Sequence, residues 1–150
     1  MELIDAVTDF SIEKDIVRPE YDVEFRISED REVFAWGRSL VPYQVYSALC
    51  CVAYTHEIPI NMEQLTEYST NHSPYRGDIA VAYTVWNCSD TKGSGRSLIL
   101  ALQKHFSSYA KVNRLVTLSP LTEMAKRFHL SNGARLLSTN PESYNFEYGI

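Results

Sequence analysis

The sequence is poor in cysteine, and its three cysteines, Cys50, Cys51 and Cys88, form neither an even set nor a CxxC pair. A disulfide framework and a cysteine zinc site are therefore excluded as organising principles, and all three are expected as buried thiols within apolar runs. Positive charge is also scarce. Fourteen Lys+Arg face 19 Asp+Glu, for a net charge of −5, and no basic stripe is present to displace counter-ions from a nucleic-acid backbone, so no nucleic-acid partner is expected. No run approaches the roughly 18 to 20 apolar residues of a membrane span. Residues 1–11 carry Glu2, Asp5 and Asp9 where a secretory leader needs positive charge, so the expectation is a cytoplasmic protein with no membrane partner. The familiar phosphate motifs are missing too. Leu98 stands where GxGxxG would place its third glycine, and there is no GxxxxGK[ST] loop. Ser94 and Ser97 lack a GxSxG elbow, and His56 and His72 lie in polar loops without a partner at metal spacing. No metal is expected.

What is present is ordinary core material. Hydrophobic residues make up 45% of the 150 positions, with ten Tyr, six Phe and two Trp, which suits one compact domain and argues against disorder. Residues 1–20, charged and closed by Pro19, are expected as a loosely docked arm or short helix, and residues 21–150 as a single domain. Val23, Phe25 and Ile27 alternate with Asp22, Glu24 and Arg26, which predicts a half-buried strand over residues 21–27. Strands follow over 32–40 and 43–54, in an antiparallel meander. A short helix over 60–68 is capped by Asn61. Residues 79–86 are apolar on both faces and read as a central strand. Leu98, Ile99, Leu102, Phe106 and Tyr109 recur at helical spacing over 96–109. Then come a strand over 114–118, a helix over 121–130 stopped at Asn132-Gly133, and a closing strand pair, 134–138 and 144–148, across Asn140-Pro141. The order β-β-β-α-β-α-β-α-β-β describes an α/β sandwich around a mixed sheet.

Three constellations could carry chemistry. Lys92-Gly93-Ser94-Gly95-Arg96 lies between the central strand and its following helix. Glycines there allow close backbone approach, and a helix start offers unpaired amides to an anion, while Lys92 and Arg96 add local charge. The same GxG is also what a tight turn looks like. Ser119 sits at the C-terminal end of the next strand, where open α/β sheets place their ligand crevice. Followed by Pro120, it also fits a helix cap. His129 lies beside Phe128, and with Met124, Phe128 and Leu121 as the buried stripe it falls at the stripe's edge, either as a satisfied half-buried side chain or as a proton donor. Glu63, Glu67 and the 29–32 acidic cluster read as solvated, and Tyr144, Phe146 and Tyr148 as sheet packing.

The strand-loop-helix order resembles the acyl-CoA-binding half of the GNAT (Gcn5-related acetyltransferase) superfamily, whose R/Q-x-x-G-x-G/A loop corresponds to Asp90-Thr91-Lys92-Gly93-Ser94-Gly95. Asp90 stands at the usual basic or amide position. The segment from Ala125 to Ala134 resembles the family's A-x-x-L-Y-x-x-x-G-F, with His129 at the tyrosine. A nearer resemblance is to the GNAT-like catalytic domain of malonyl-CoA decarboxylase. It is carried by REVFAWG (31–37), Val52-Ala53-Tyr54-Thr55 with Ile58-Pro59 and Asn61, Ala82-Tyr83-Thr84-Val85, Gly93 to Gly95, Leu118-Ser119-Pro120 and Phe128-His129-Leu130-x-Asn132-Gly133-Ala134. Leu121-Thr122-Glu123-Met124 replaces that family's I-P-G-F after the Ser-Pro, and the stretch separating the two motifs is much shortened.

The resemblance implies a GNAT-like fold, a coenzyme A thioester (acetyl-CoA or malonyl-CoA) as substrate, and Ser119 and His129 as the catalytic pair. Lys92, Gly93, Ser94, Gly95 and Arg96 would hold the CoA phosphates. Three activities follow as expectations: decarboxylation of a malonyl-type thioester; transfer of an acyl group to an amine or protein acceptor; or a noncatalytic acyl-CoA-binding or interaction module.

Overall fold

The computed structural model describes residues 1–8, 15–40, 43–70, 76–89 and 92–150. Their order is β1 (Glu2–Ile4), α1 (Val23–Ile27), β2 (Arg31–Leu40), β3 (Tyr43–Thr55), α2 (Met62–Tyr68), β4 (Ile79–Asn87), α3 (Ser94–Ser107), β5 (Arg114–Thr117), β6 (Ser119–Pro120), α4 (Glu123–Ser131), β7 (Arg135–Thr139) and β8 (Ser143–Tyr148). The strands form one mixed sheet in the order β1-β2-β3-β4-β5-β8-β6, with β7 also on β8. As expected, β2 and β3 are antiparallel neighbours; β4 extends that arrangement in place of residues 21–27, the first strand expected in the meander. Only β4 and β5 run parallel, because the α3 crossover returns the chain to the same end of the sheet.

Burial explains the layering. Along β4, Ala80 and Ala82 enter one apolar cluster with Leu98, Ile99, Leu102 and Phe106 of α3. Val81 and Tyr83 enter a second with Leu65 of α2, against which Val23 and Phe25 of α1 pack. The sheet is thus covered on both faces, with α3 on one and α1 and α2 on the other. Each buried Leu, Ile or Phe of α3 is worth about 1.5 to 3 kcal/mol, so this face fixes the helix. The Asn61 side chain caps α2 by accepting from Gln64 N at 2.8 Å. At its end, α4 closes in a Schellman motif: Gly133 N bonds Leu130 O, Ala134 N bonds His129 O, and Gly133 takes φ +93°.

Several expectations are corrected. Residues 23–27 are helical, not a strand, because Asp22 caps Phe25 N at 2.8 Å. The turn that results buries Arg26, against the apolar alternation, and leaves Ile27 39% exposed. The first 20 residues are neither a short helix nor loosely docked where they are described. Glu2–Ile4 pairs antiparallel with β2, and Asp15 is buried in an ion pair with Arg26 at 2.6 Å. Cys50 and Cys51 are buried, but Cys88 is exposed, since it follows the last residue of β4, where the strand has left the core. On α4 the stripe is rotated: Met124 is 82% exposed and His129 only 5%. The helix meets the sheet through the ring of Phe128, as the stripe predicts, and through His129, which the sequence places at the stripe's edge. Asp90, Thr91 and His72 lie outside the described residues.

Candidate functional site

The site begins where β4 and β5 part. They pair from Ile79 opposite Arg114 to Ala82 opposite Thr117, and one further rung joins Leu118 N to Ala82 O at 3.0 Å. Beyond it β4 continues with β3 alone, while the other strand bends so that Ser119 pairs with Tyr144 of β8. A bulge accompanies the parting. Cys51 faces Thr84 and Val52 faces Ala82, so Tyr83 has no partner in the ladder, an irregularity that re-aims the strand beside a site.

Arg18 stands in the opening. Its Nε donates to Tyr83 O at 2.8 Å and its Nη2 to Leu118 O at 3.0 Å, so a guanidinium replaces the next backbone rung. Burial pulls it below the ordinary arginine value, against the raising influence of Tyr21, Glu20, Asp15 and Tyr83.

Beyond the end of β4, Gly93 caps α3 at φ +83°, a conformation most residues avoid. Gly93 itself brings no capping side chain and no acidic residue lies in the first turn, and the dipole at such a helix start favours an anion. Lys92 and Gly93 are exposed, whereas Ser94 and Gly95 are buried. A Cβ on Gly95 would lie 3.4 Å from Cε1 of Phe128 and 3.3 Å from Oδ1 of Asn87; its glycine lets α4 approach. Arg96 crosses between helices, donating from Nη1 to Asn132 Oδ1 at 2.9 Å and Ser131 O at 3.3 Å. The Asn of the His-Leu-x-Asn-Gly-Ala segment thus ties the start of α3 to the end of α4.

Ser119 is buried, with Oγ 2.8 Å from Thr117 Oγ1, which also accepts from Phe146 N at 3.1 Å. Asn145 of β8 holds this turn, donating to Thr117 O at 2.8 Å and to Pro59 O at 3.0 Å; the Ile58-Pro59 segment is thereby pinned to the site. His129 lies between aromatic rings, 5.0 Å from Phe128 and 5.1 Å from Phe146 by centroid. Its Nδ1 is 2.7 Å from the Tyr148 hydroxyl. Burial pushes its pKa down to about 4, so the imidazole is neutral at pH 7, unlike the ordinary titrating histidine the sequence suggests. Burial also pushes the Tyr148 phenol up. Ser119 and His129 are both anchored to β8, through Tyr144 and Tyr148 respectively. Each has its own hydroxyl partner, Thr117 Oγ1 for Ser119 and Tyr148 for His129.

Two participants escaped the sequence reading. Tyr148 alternates with Phe146 as packing residues do, and only its contact with His129 distinguishes it. Arg18 lies in the arm, with no local pattern to single it out.

No protein-family model matches the chain, and no curated protein matches it. Solved structures do. Malonyl-CoA decarboxylase from Agrobacterium vitis is similar over 99% of this chain and 60% of that one, with 18% identity and a TM-score of 0.71. Arabidopsis thaliana NAA60 in complex with acetyl-CoA is similar over 97% of this chain and 96% of that one, with 14% identity and a TM-score of 0.64. AtaTR bound with AcCoA is similar over 97% and 92%, with 14% identity and a TM-score of 0.61. The chain therefore spans about three fifths of the decarboxylase. No helix among the described residues is long and apolar enough to cross a membrane. With a mixed sheet parting between β4 and β5, a glycine-capped helix after β4 and these structural likenesses, the chain has a GNAT-like fold.

Proposed function

We propose that the protein binds a CoA thioester across the parting of β4 and β5 and decarboxylates a malonyl-type acyl group. The CoA phosphates would rest on the amides of Gly93, Ser94 and Gly95 at the start of α3, with Lys92 and Arg96 beside them. The acyl end would then reach Ser119 and His129. Loss of CO₂ leaves a thioester enolate, so the site must stabilise an oxyanion and deliver one proton to carbon. Ser119 orients the thioester oxygen or the carboxylate.

The observation that carries the reading is the buried His129–Tyr148 pair. With Tyr148 donating to Nδ1, the neutral imidazole carries its proton on Nε2. That proton passes to the enolate while the Tyr148 proton moves to Nδ1, and solvent later restores the phenol. An enolate is a far stronger base than a phenolate, so no imidazolium is needed. A departing CoA thiolate is a weak base, its thiol having a pKa of about 8.5, and a neutral imidazole backed by a phenol of raised pKa is a poor acid for it. The pair therefore favours decarboxylation over acyl transfer.

The test is incubation of purified protein with malonyl-CoA alone and with acetyl-CoA plus mixed amines. Release of CO₂ and acetyl-CoA without an acceptor is expected, and His129→Ala should lower that rate by about 10² to 10⁴. Thiol release that requires an amine would replace this reading by acyl transfer. CoA binding with no turnover of any thioester would leave a binding module.

A further inference from the structure

Arg18 is held at both ends. At its root, the Asp15 carboxylate accepts from Val17 N at 2.7 Å and Arg18 N at 3.1 Å, closing a tight turn. The same carboxylate pairs with Arg26 Nη1 at 2.6 Å and accepts from Thr84 Oγ1 at 3.0 Å. Arg26 also grips the Arg18 carbonyl from Nη2 at 2.7 Å. At its head, the guanidinium joins Tyr83 O to Leu118 O, one carbonyl from each parting strand. Such double fixing removes the rotamer freedom that a long side chain otherwise loses on binding.

Among the described residues, the head nevertheless has no carboxylate in ion-pair contact, whereas Arg26, Arg114 and Arg135 each have one. Its Nε and one Nη2 proton are spent on carbonyls, and Nη1 has no acceptor among the described residues. Asp15, the nearest fixed carboxylate along the chain, is committed to Arg26, Thr84 and two backbone amides. A cation taken from water without an opposing charge is costly, and a planar fork with spare donors suits a carboxylate above other anions of its size. Leu118, whose carbonyl it holds, directly precedes Ser119.

Resting on the CoA-thioester reading above, we infer that Arg18 is the residue that selects the acyl group: it receives the terminal carboxylate of a dicarboxylic acyl chain, malonyl rather than acetyl, delivered into the parting of β4 and β5. A guanidinium holds a carboxylate more strongly than the neutral CO₂ it becomes, so this contact governs selection and binding rather than acceleration. Ser119 is then left to the thioester oxygen.

Calorimetric titration of the whole chain with CoA, acetyl-CoA and malonyl-CoA, on the wild type and on Arg18→Met and Arg18→Lys, tests the assignment. The wild type should bind malonyl-CoA about 30-fold more tightly than acetyl-CoA, the low end for a desolvated charge pair. Arg18→Met should bring malonyl-CoA down to the acetyl-CoA value while the CoA value holds, and Arg18→Lys should fall between. Equal wild-type affinities for the two thioesters would overturn the inference while leaving CoA binding intact. So would an equal loss for all three ligands in Arg18→Met, the mark of a purely structural wedge. Absence of binding by all three to the wild type would overturn the CoA reading itself and this inference with it.

Discussion

Replacing His129 by glutamine isolates a proton equilibrium that the fold imposes. In the unfolded chain the imidazole titrates near 6.5, the ordinary value. In the folded chain burial alone lowers it to about 4, and the residue is only 5% exposed, so solvent does little to soften the shift. Between those two values the unfolded state binds a proton that the folded state refuses. Stability from this source is therefore complete above pH 6.5 and is lost as pH falls towards 4. A shift of this size corresponds to about 3 kcal/mol at about 1.4 kcal/mol per unit. Glutamine can still accept from Tyr148 and does not titrate. Urea denaturation of wild type and His129→Gln at intervals from pH 7.5 to 4 should give a difference in unfolding free energy that moves by about 3 kcal/mol, against the wild type as pH falls. The Hε1 resonance should titrate near the lower value. A difference that stays constant with pH, or a resonance midpoint near 6.5, would refute both the burial argument and the neutral-imidazole mechanism built on it.

Other perturbations read other parts of the same framework. Asp15→Ala strands the buried Arg26 guanidinium and should cost about 3 to 5 kcal/mol in urea denaturation, with Asp15→Ala/Arg26→Met recovering much of it. A double variant no more stable than the single would show that the pair matters as a polar scaffold for Arg18 and Thr84 instead. Tyr148→Phe leaves Nδ1 of His129 without its hydroxyl partner and should cost about 1 to 3 kcal/mol; a negligible change in thermal midpoint would mean that the bond adds nothing to stability. Gly133→Ala forces an L side chain into positive φ and should cost about 1 to 2 kcal/mol by the same denaturation assay, with no loss if the α4 terminus can refold around it.

Much of the framework was legible because its causes are local. Asn61 caps α2 through an amide three residues on, the α3 stripe repeats every turn, and Asn132-Gly133 stops α4 by a motif confined to six residues. The apolar run of β4 announces a strand covered on both faces. Where local signals compete with a distant partner, the reading fails. Val23, Phe25 and Ile27 alternate like a strand, yet Asp22 starts a helix and Asp15 draws Arg26 inward. On α4, polarity counts ranked Met124 inside and His129 at the edge. The tyrosine that makes burying a histidine tolerable lies on β8, 19 positions away.

The same reasoning separates the two halves of the candidate site. The glycine-capped start of α3, proposed above for the CoA phosphates, is written in the consecutive residues 92–96. The Arg18 end, proposed above for the acyl group, is assembled from distant parts of the chain. Arg18 reaches Tyr83 across 65 positions and Leu118 across 100, and its root is fixed by a carboxylate that also meets Thr84 on β4. Parting two parallel strands sacrifices backbone hydrogen bonds, and each exposed carbonyl then demands a donor. A bulge at Tyr83 turns one carbonyl into the gap and the bend before Ser119 turns the other. One guanidinium satisfies both and keeps donors in reserve. Two carbonyls cannot pair with each other, so the gap is bridged by a donor between them. Under the acyl-selection inference above, the side chain that bridges the parted strands is also the one that would meet the ligand's carboxylate.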